Sequence, residues 1–384
     1  MTALTPNAQR LLRTLVADGP AYRADLARAL GVSRATVTNL TNRLSADGLI
    51  EETDPEPGAL KNLIGTTPKL GVLASVMFLV DTCTATVATL DGTVLKSFTL
   101  GQLAEVSATD RLAAGADLLG RLLAERELTP GDLRALHLAV DTQMDARSGE
   151  VYAQRASSRW YGVNPKRYFT ERFAVSVHTE NSARLEGLAE YLWGAGRGHD
   201  NVLYVDVSYG VTAGHMIKGQ IQTGARGGSG ELGHTVYDWN GPLCTCGNSG
   251  CLMQYASIPA MLRDSSTGTG RVTDWEEFVA LAHEGDPAVM AISLRAAKIL
   301  GRVLINVCHM IDPEIVVLSG EIPRALPGFA DVVTELLRDH ALPLVARNVA
   351  VHLAELGYDH TASARAGIES LRAIDDVVAE ATNV

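Results

Sequence analysis

Residues 231–251 read ELGHTVYDWNGPLCTCGNSGC, and this stretch constrains the chain more than any other. His234 is followed by nine residues and then Cys244, and after it come Cys246 and Cys251. One imidazole and three thiolates make a complete tetrahedral Zn²⁺ set, with no position left for water. Gly241 and Pro242 turn the chain before the first thiol, and Gly247 and Gly250 let it fold tightly between the second and third. A disulfide among the three is the alternative, but it would strand one thiol and needs an oxidising compartment. A closed Cys₃His set is structural. The expectation is one structural Zn²⁺ per chain, pinning a loop that otherwise lacks apolar anchors.

GELGHT, then GPLCTCGNSGCL and the aromatic Tyr255, resemble the zinc signature of the ROK family. That family comprises bacterial repressors, open-reading-frame proteins and sugar kinases. The resemblance extends over nearly the whole chain, and the zinc motif is its most specific part. It implies an α/β fold: an N-terminal winged helix-turn-helix, then a two-lobed actin-like (ribonuclease H-like) ATPase fold with a structural zinc loop. The expected domains are a DNA-binding head at 1–70, a first lobe at 71–192 rejoined by a C-terminal helix in 363–384, and a second lobe at 193–362. The second lobe would carry the zinc loop and a dimerisation surface, and a ligand cleft would lie between the lobes.

The first 70 residues support a winged helix-turn-helix on their own. Thr5 caps a helix with Pro6 at its first position, and Gly19-Pro20 ends it. A short helix covers about Tyr22 to Leu30, Gly31 makes the turn, and Ser33 caps a third helix that runs to about Asp47 before Gly48. On that helix Val37, Leu40 and Leu44 repeat at helical spacing and should pack inward. The other side offers Ser33, Arg34, Thr36, Thr38, Asn39, Asn42 and Arg43, with no acid among them. Such a face suits the major groove, with Arg34, Thr38 and Asn39 near the leading end and Arg43 on phosphate. A three-helix protein-interaction module is the alternative. SRATVTNLTNRLSADGLI resembles the recognition helix of bacterial repressors. Family repressors usually carry Gly-Arg-Pro in the wing. Here Pro57-Gly58-Ala59-Leu60-Lys61-Asn62 follows Glu51, Glu52, Asp54 and Glu56, so wing contacts should be weak, with Lys61 the best candidate.

Beyond a short linker at Pro68 to Gly71 the pattern changes. A β-meander is expected over Val72–Val80, Ala85–Leu90 and Val94–Phe98, then a helix near Ala108–Arg126 and strands at Ala135–Val140 and Ala174–Thr179. A helix should run from there to about Trp193, and a hairpin should pair Val202–Val207 with Val211–Ile217. Later come a long helix at about Pro287–Ile311, a strand at Ile315–Leu318 and a last helix near Ser363–Ala379.

The kinases of the family take their base from a Glu-Asn-Asp run, which here reads Glu180-Asn181-Ser182. Serine is no general base near neutral pH without its own activator. The Asp-x-Gly-Gly-Thr phosphate loop has become Asp81-Thr82-Cys83-Thr84, placing side chains where phosphate needs bare backbone. The second loop holds Ser208-Tyr209-Gly210, and the adenine-side glycine pair is reduced to Ser319-Gly320-Glu321. No catalytic residue is expected.

The resemblance also implies sugar-binding positions. Asn181, Glu231 and His234 match, whereas the family's Asp and its last Glu have become Ser182 and Met253. Three readings stay open: a different ligand, such as a larger glycoside or a sugar phosphate; a simple sugar bound weakly; or no sugar, with a protein partner as the signal. Glu231 could instead merely cap a turn, and His234 could serve metal alone.

The net charge of −11 is unevenly spread. Residues 1–70 hold eight Lys/Arg and seven Asp/Glu, a net of +1, which leaves −12 on the rest. A nucleic-acid face should therefore be confined to the head. No apolar run reaches the ~18 residues of a membrane span, and MTALTPNAQR lacks a signal peptide's apolar core. A cytoplasmic chain without membrane contact is expected, with Cys83 and Cys308 as inert buried thiols. The expected partners are double-stranded operator DNA bearing an inverted repeat, a sugar or sugar-derivative effector, and further copies of the chain in a homodimer or homotetramer. The functional expectation is a repressor of carbohydrate metabolism. The rivals are an active sugar kinase with a DNA-binding head and a sensor governed by a protein partner.

Overall fold

The computed structural model describes residues 4–53, 62–152, 159–269, 274–357, 359–374 and 379. Two compact units make up the chain: residues 1–182 with 360–384, and residues 183–359.

The first unit begins with three helices, α1 (Pro6–Asp18), α2 (Arg23–Leu30) and α3 (Arg34–Ala46). Thr5 Oγ1 accepts the Ala8 amide at 3.3 Å, and Ser33 Oγ accepts the Thr36 amide at 3.1 Å, so both expected caps are formed. Strands β1 (Ile50–Thr53) and β2 (Leu63–Thr66) pair antiparallel as the wing. Lys61, Asp54 and Glu56 lie outside the described residues.

A five-stranded sheet follows, in the order β5-β4-β3-β6-β7. Its members are β3 (Val72–Phe78), β4 (Cys83–Thr89), β5 (Val94–Leu100), β6 (Leu133–Val140) and β7 (Ser176–Asn181). The meander is antiparallel, and β3, β6 and β7 run parallel. Helices α4 (Ala108–Ala124) and α5 (Pro165–Phe173) belong to this unit. The sequence reading omitted α5, although Asn164 caps it by accepting the Arg167 amide at 2.9 Å and Pro165 opens it. Ala174, expected in a strand, is the left-handed residue that ends α5 at φ 52°, so β7 starts two residues later. The C-terminal helix His360–Arg372, α13 in chain order, returns to the same sheet.

The winged helix shares its core with that sheet. Leu11, Leu15 and Ile64 of the head cluster with Leu73, Leu90 and Ile368. Two buried polar contacts reinforce the junction. Asp91, 1% exposed, accepts the Thr66 amide and, through Oδ1, the Thr89 hydroxyl at 2.6 Å. Arg372 donates to the carbonyls of Val16 at 2.9 Å and Ala17 at 3.1 Å, where α1 has no further amides to serve them.

The second unit repeats the strand plan. Its sheet order is β10-β9-β8-β11-β12, from β8 (Asn201–Val207), β9 (Val211–Ile217), β10 (Gln220–Ile221), β11 (Ile315–Ser319) and β12 (Ala350–Leu353). Again a meander is antiparallel and three strands are parallel. Helix α6 (Ser182–Trp193) carries the chain into this unit. The units thus meet at residue 182, ten residues before the expected boundary, because α6 is tied to this sheet: the Tyr204 hydroxyl donates to Glu186 at 3.3 Å. The remaining helices are α7 (Ile258–Thr269), α8 (Trp275–Glu284), α9 (Pro287–Ile311), α10 (Glu321–Ala325), α11 (Phe329–His340) and α12 (Pro343–Asn348). Helix α9 has the expected bounds, opened by Asp286 Oδ1 accepting the Ala288 and Val289 amides at 2.9 and 3.1 Å. Cys83 and Cys308 are buried, and burial raises both thiols, Cys308 to about 12. Among the described residues no helix is long and apolar enough to cross a membrane.

Candidate functional site

Helix α3 divides as its pattern predicts. Val37 and Leu44 are buried, Leu40 packs against the head core, and Thr41 is buried with them. Arg34, Thr38, Asn39, Asn42 and Arg43 are exposed. Ser33 and Thr36 are occupied with each other, their hydroxyls 2.9 Å apart in the cap. The other five residues of that face take no part in the cap. Thr38 donates its hydroxyl to the Arg34 carbonyl at 3.0 Å, a bond that a competing acceptor can replace. Of the acids preceding the wing tip, Glu52 is paired with Arg23 and also accepts from Asn62 at 3.4 Å. Those hydrogen bonds hold its carboxyl below the usual range despite partial burial. Glu52 is thus screened toward DNA more than the sequence alone suggests.

The metal cluster lies in the second unit. The ligand atoms of His234, Cys244, Cys246 and Cys251 all lie within 4.8 Å of one another, and the group could hold a metal ion. Cys244 Sγ is 3.6 Å from His234 Nδ1, and Cys246 Sγ is 3.6 Å from Cys251 Sγ. A tetrahedral ion with Zn–S bonds of about 2.3 Å requires edges of about 3.8 Å. None of the three thiols is in a disulfide. Burial alone would raise Cys244, but hydrogen bonds from Cys246, His234 and Cys251 pull it down to about 6. Burial, together with Cys246 and Cys244, pushes Cys251 up to about 12. One thiol ionises early and its charge keeps another protonated, a conflict that a cation at the centre removes.

The loop is better anchored than expected. Cys244 and Leu252 are fully buried, and Val236 bridges Cys251 as a short antiparallel pair. Gly250 is obligatory: at φ 70° its added Cβ would lie 1.5 Å from the Asp238 carbonyl oxygen. At the loop's entry Gly230 presses against β9, where a Cβ would stand 2.1 Å from the Ala213 carbonyl oxygen. That approach sets Glu231 beside His234. The Glu231 carboxylate makes no hydrogen bond to the turn it heads, so capping does not explain it. Burial raises its carboxyl, opposed by the charges of His234 and Arg184. Arg184, itself buried, donates to the carbonyls of Ser229 and Gly227 at 2.9 Å each. Met253 packs against the apolar core of this unit.

Asn181 and Ser182 lie at the end of β7 in the first unit. Ser182 is buried, and its hydroxyl donates to the Phe78 carbonyl at 2.7 Å. Asn181 reaches the Thr142 carbonyl at 3.5 Å. In the loop after β3, Leu79 donates to the Thr82 carbonyl at 2.9 Å. Cys83 and Thr84, expected to obstruct that loop, instead open β4, where they point to opposite faces of a strand buried along its whole length. Arg111 holds the loop from below, donating to the carbonyls of Leu79 and Val80 at 2.8 Å each.

In the second unit the Ser208-Tyr209-Gly210 turn closes β8 and β9. Ser208 Oγ accepts the Glu321 amide at 3.1 Å, and Tyr209 is exposed. Burial pushes Asp206 up to about 6, with Glu321 adding to the shift and Ser208 opposing it. Burial raises Glu321 as well.

Sequence reasoning missed one group in the first unit: Asp141, Arg159 and Trp160. Trp160 Nε1 donates to Asp141 Oδ1 at 2.6 Å, and Arg159 to Oδ2 at 2.9 Å. No short motif flags a carboxylate whose partners lie 18 and 19 residues away.

Comparison with known proteins places these features. Residues 80–366 match the ROK family, and residues 4–59 match the MarR family. The xylose repressor of Bacillus spizizenii is 25% identical over 356 residues, covering 91% of this chain and 91% of that protein. The glucokinase of Thermotoga maritima is 29% identical over 269 residues, covering 66% of this chain and 83% of that one. A crystal structure of a ROK family transcriptional regulator, described as a homolog of the E. coli MLC protein, has a TM-score of 0.74 at 23% identity over 98% of each chain. That likeness shows the fold.

Proposed function

The chain belongs to the ROK family, and on that premise we propose that it is a DNA-binding repressor of carbohydrate genes that answers to a sugar-like effector and has no kinase activity. Its exposed α3 face carries the reading: two arginines, two asparagines and a threonine, with no acid, on a capped helix packed into a rigid head. Arg34, Thr38 and Asn39 serve base edges, and Asn42 and Arg43 the flanking backbone. One head reads one half-site, so the working form is a homodimer or homotetramer on an inverted repeat. The likeness to the xylose repressor supports this reading.

Kinase loss rests on Ser182. Its hydroxyl is spent on the Phe78 carbonyl, so no carboxylate base stands there. Around the second loop, Ser208 takes the Glu321 amide, and Asp206 and Glu321 bring negative charge where a triphosphate would need amides. The second reading, an active sugar kinase with a DNA-binding head, draws on the glucokinase likeness.

The Cys₃His cluster suits one structural Zn²⁺, held through His234 Nδ1 and the three thiolates. Zinc would supply a fixed cross-link for the loop and no chemistry. His234 Nε2 is then left to donate to an effector hydroxyl beside the Glu231 carboxylate. In the first unit Asn181 is the effector residue.

The test is capture of fragmented genomic DNA by the purified full chain, followed by sequencing. An enriched inverted repeat beside sugar-uptake or glycosidase genes is expected. No enriched site, together with sugar-dependent ATP hydrolysis, would establish the kinase reading instead.

A further inference from the structure

We infer that Asp141 is a ligand-binding carboxylate of the first unit, and that it selects a neutral, polyhydroxylated effector over a phosphorylated one. This deepens the effector reading above and rests on it.

The carboxyl ends of three parallel strands come together here. Met77 of β3 pairs with Ala139 of β6, and Val140 of β6 pairs with Asn181 of β7. Ligands of open α/β sheets bind beyond such ends. Four polar residues stand there: Asp81 after β3, Asp141 after β6, and Asn181 and Ser182 at the end of β7. Ser182 is spent on a backbone carbonyl. Asp81 is exposed and accepts the Ala104 amide at 3.0 Å.

Asp141 differs from both. Its side chain is only 14% exposed, so most of its hydration is already removed. Each oxygen holds one donor, Trp160 on one side and Arg159 on the other. A carboxylate has about four acceptor sites, so two remain for ligand hydroxyls. Trp160 is 1% exposed and set edge-on against Phe78 at 5.3 Å, which fixes the carboxylate in advance. One strand away from Ser182, where the kinases of the family carry their aspartate, a preorganised carboxylate is therefore restored.

The charge balance selects the ligand class. The cations that bond to Asp141 or to the neighbouring loop after β3 are Arg159 and Arg111. Arg111 is consumed by backbone carbonyls, and Arg159 is paired with Asp141 itself. No uncommitted cation remains among these to receive a phosphate, whereas vicinal hydroxyls match an acceptor beside a guanidinium.

The experiment is calorimetric titration of the full-length, metal-loaded protein with neutral aldoses, ketoses and polyols and with their phosphates. Wild type, Asp141→Asn and Asn181→Ala are compared, with the melting temperature and the operator affinity without ligand measured for each. A neutral sugar should bind wild type and lose about tenfold to a hundredfold in Asp141→Asn. Operator affinity without ligand should stay at the wild-type value, while Asp141→Asn should melt somewhat lower, because a carboxamide offers one acceptor oxygen to the two donors Trp160 and Arg159. If Asp141→Asn does not fold, Asp141→Glu keeps the charge and shifts the carboxylate by one bond, and it should lose at least about fivefold. A sugar lost in Asn181→Ala but retained in both Asp141 variants would leave the effector reading standing and overturn this one. Binding of phosphorylated sugars alone would overturn the ligand class. Binding of no panel member would overturn the effector reading, and this inference with it.

Discussion

Arg372 Nε donates to the Val16 carbonyl at 2.9 Å, so the last turn of the C-terminal helix is bonded to the end of the first helix of the DNA-binding head. The same guanidinium reaches Ala17 and pairs with Glu369, and its side chain is 8% exposed. A buried cation with this many partners is costly to remove. Arg372→Met leaves two carbonyls and a carboxylate without their donor and should destabilise the protein by about 3 kcal/mol. It should also weaken operator binding while leaving metal content unchanged. Urea unfolding and an operator titration check both outcomes, and equal stability with wild-type affinity would remove the junction from the account.

His137 sets a pH dependence. It is 2% exposed in β6, and burial, with the charge of His178 second, lowers it to about 3. Below pH 6.5 the unfolded chain protonates this ring and the folded chain does not. The unfolded state therefore binds more protons, and stability falls as the pH drops from 6.5 toward 3. Between pH 6.5 and 5 the wild type should lose about 1 kcal/mol per pH unit more than His137→Asn. Equal slopes in the two unfolding series would show that the ring is not held neutral.

Much of this was legible in the sequence because it is local. Thr5-Pro6, Ser33 and Asp286-Pro287 announce helix starts within three residues, and the zinc ligands span fewer than twenty. Helix α5 carries the same kind of signal at Asn164-Pro165, but its apolar residues are too few to mark it by period. The contacts that join head to sheet were not legible. Arg372 and Val16 are 356 residues apart, and Asp91 and Thr66 are 25 apart, with no period linking either pair. Strand bounds were a further blind spot: Cys83 and Thr84 were expected in a loop, but they open β4, every residue of which is buried.

Metal removal should act on structure. Purified protein is expected to carry one zinc per chain by mass spectrometry, and Cys246→Ser or chelation should lower the melting temperature. The loss should be smaller at lower pH, where protons compete for the thiolates. Metal-free protein with an unchanged melting temperature would contradict a structural role.

Phosphotransfer should be absent. A coupled assay with ATP and a sugar panel should show no turnover, and Ser182→Asp alone should not create it, because Ser208, Asp206 and Glu321 still crowd the second loop. Sugar-dependent hydrolysis abolished by Asp81→Ala would contradict this.

The central claim, a DNA reader governed by a sugar, is tested most directly by titrating the captured operator with and without each neutral sugar. One sugar should change the operator Kd by at least about tenfold, a coupling of about 1.4 kcal/mol, and Asn181→Ala should abolish that change. An operator Kd that no sugar moves, or a response that survives in Asn181→Ala, would contradict the account.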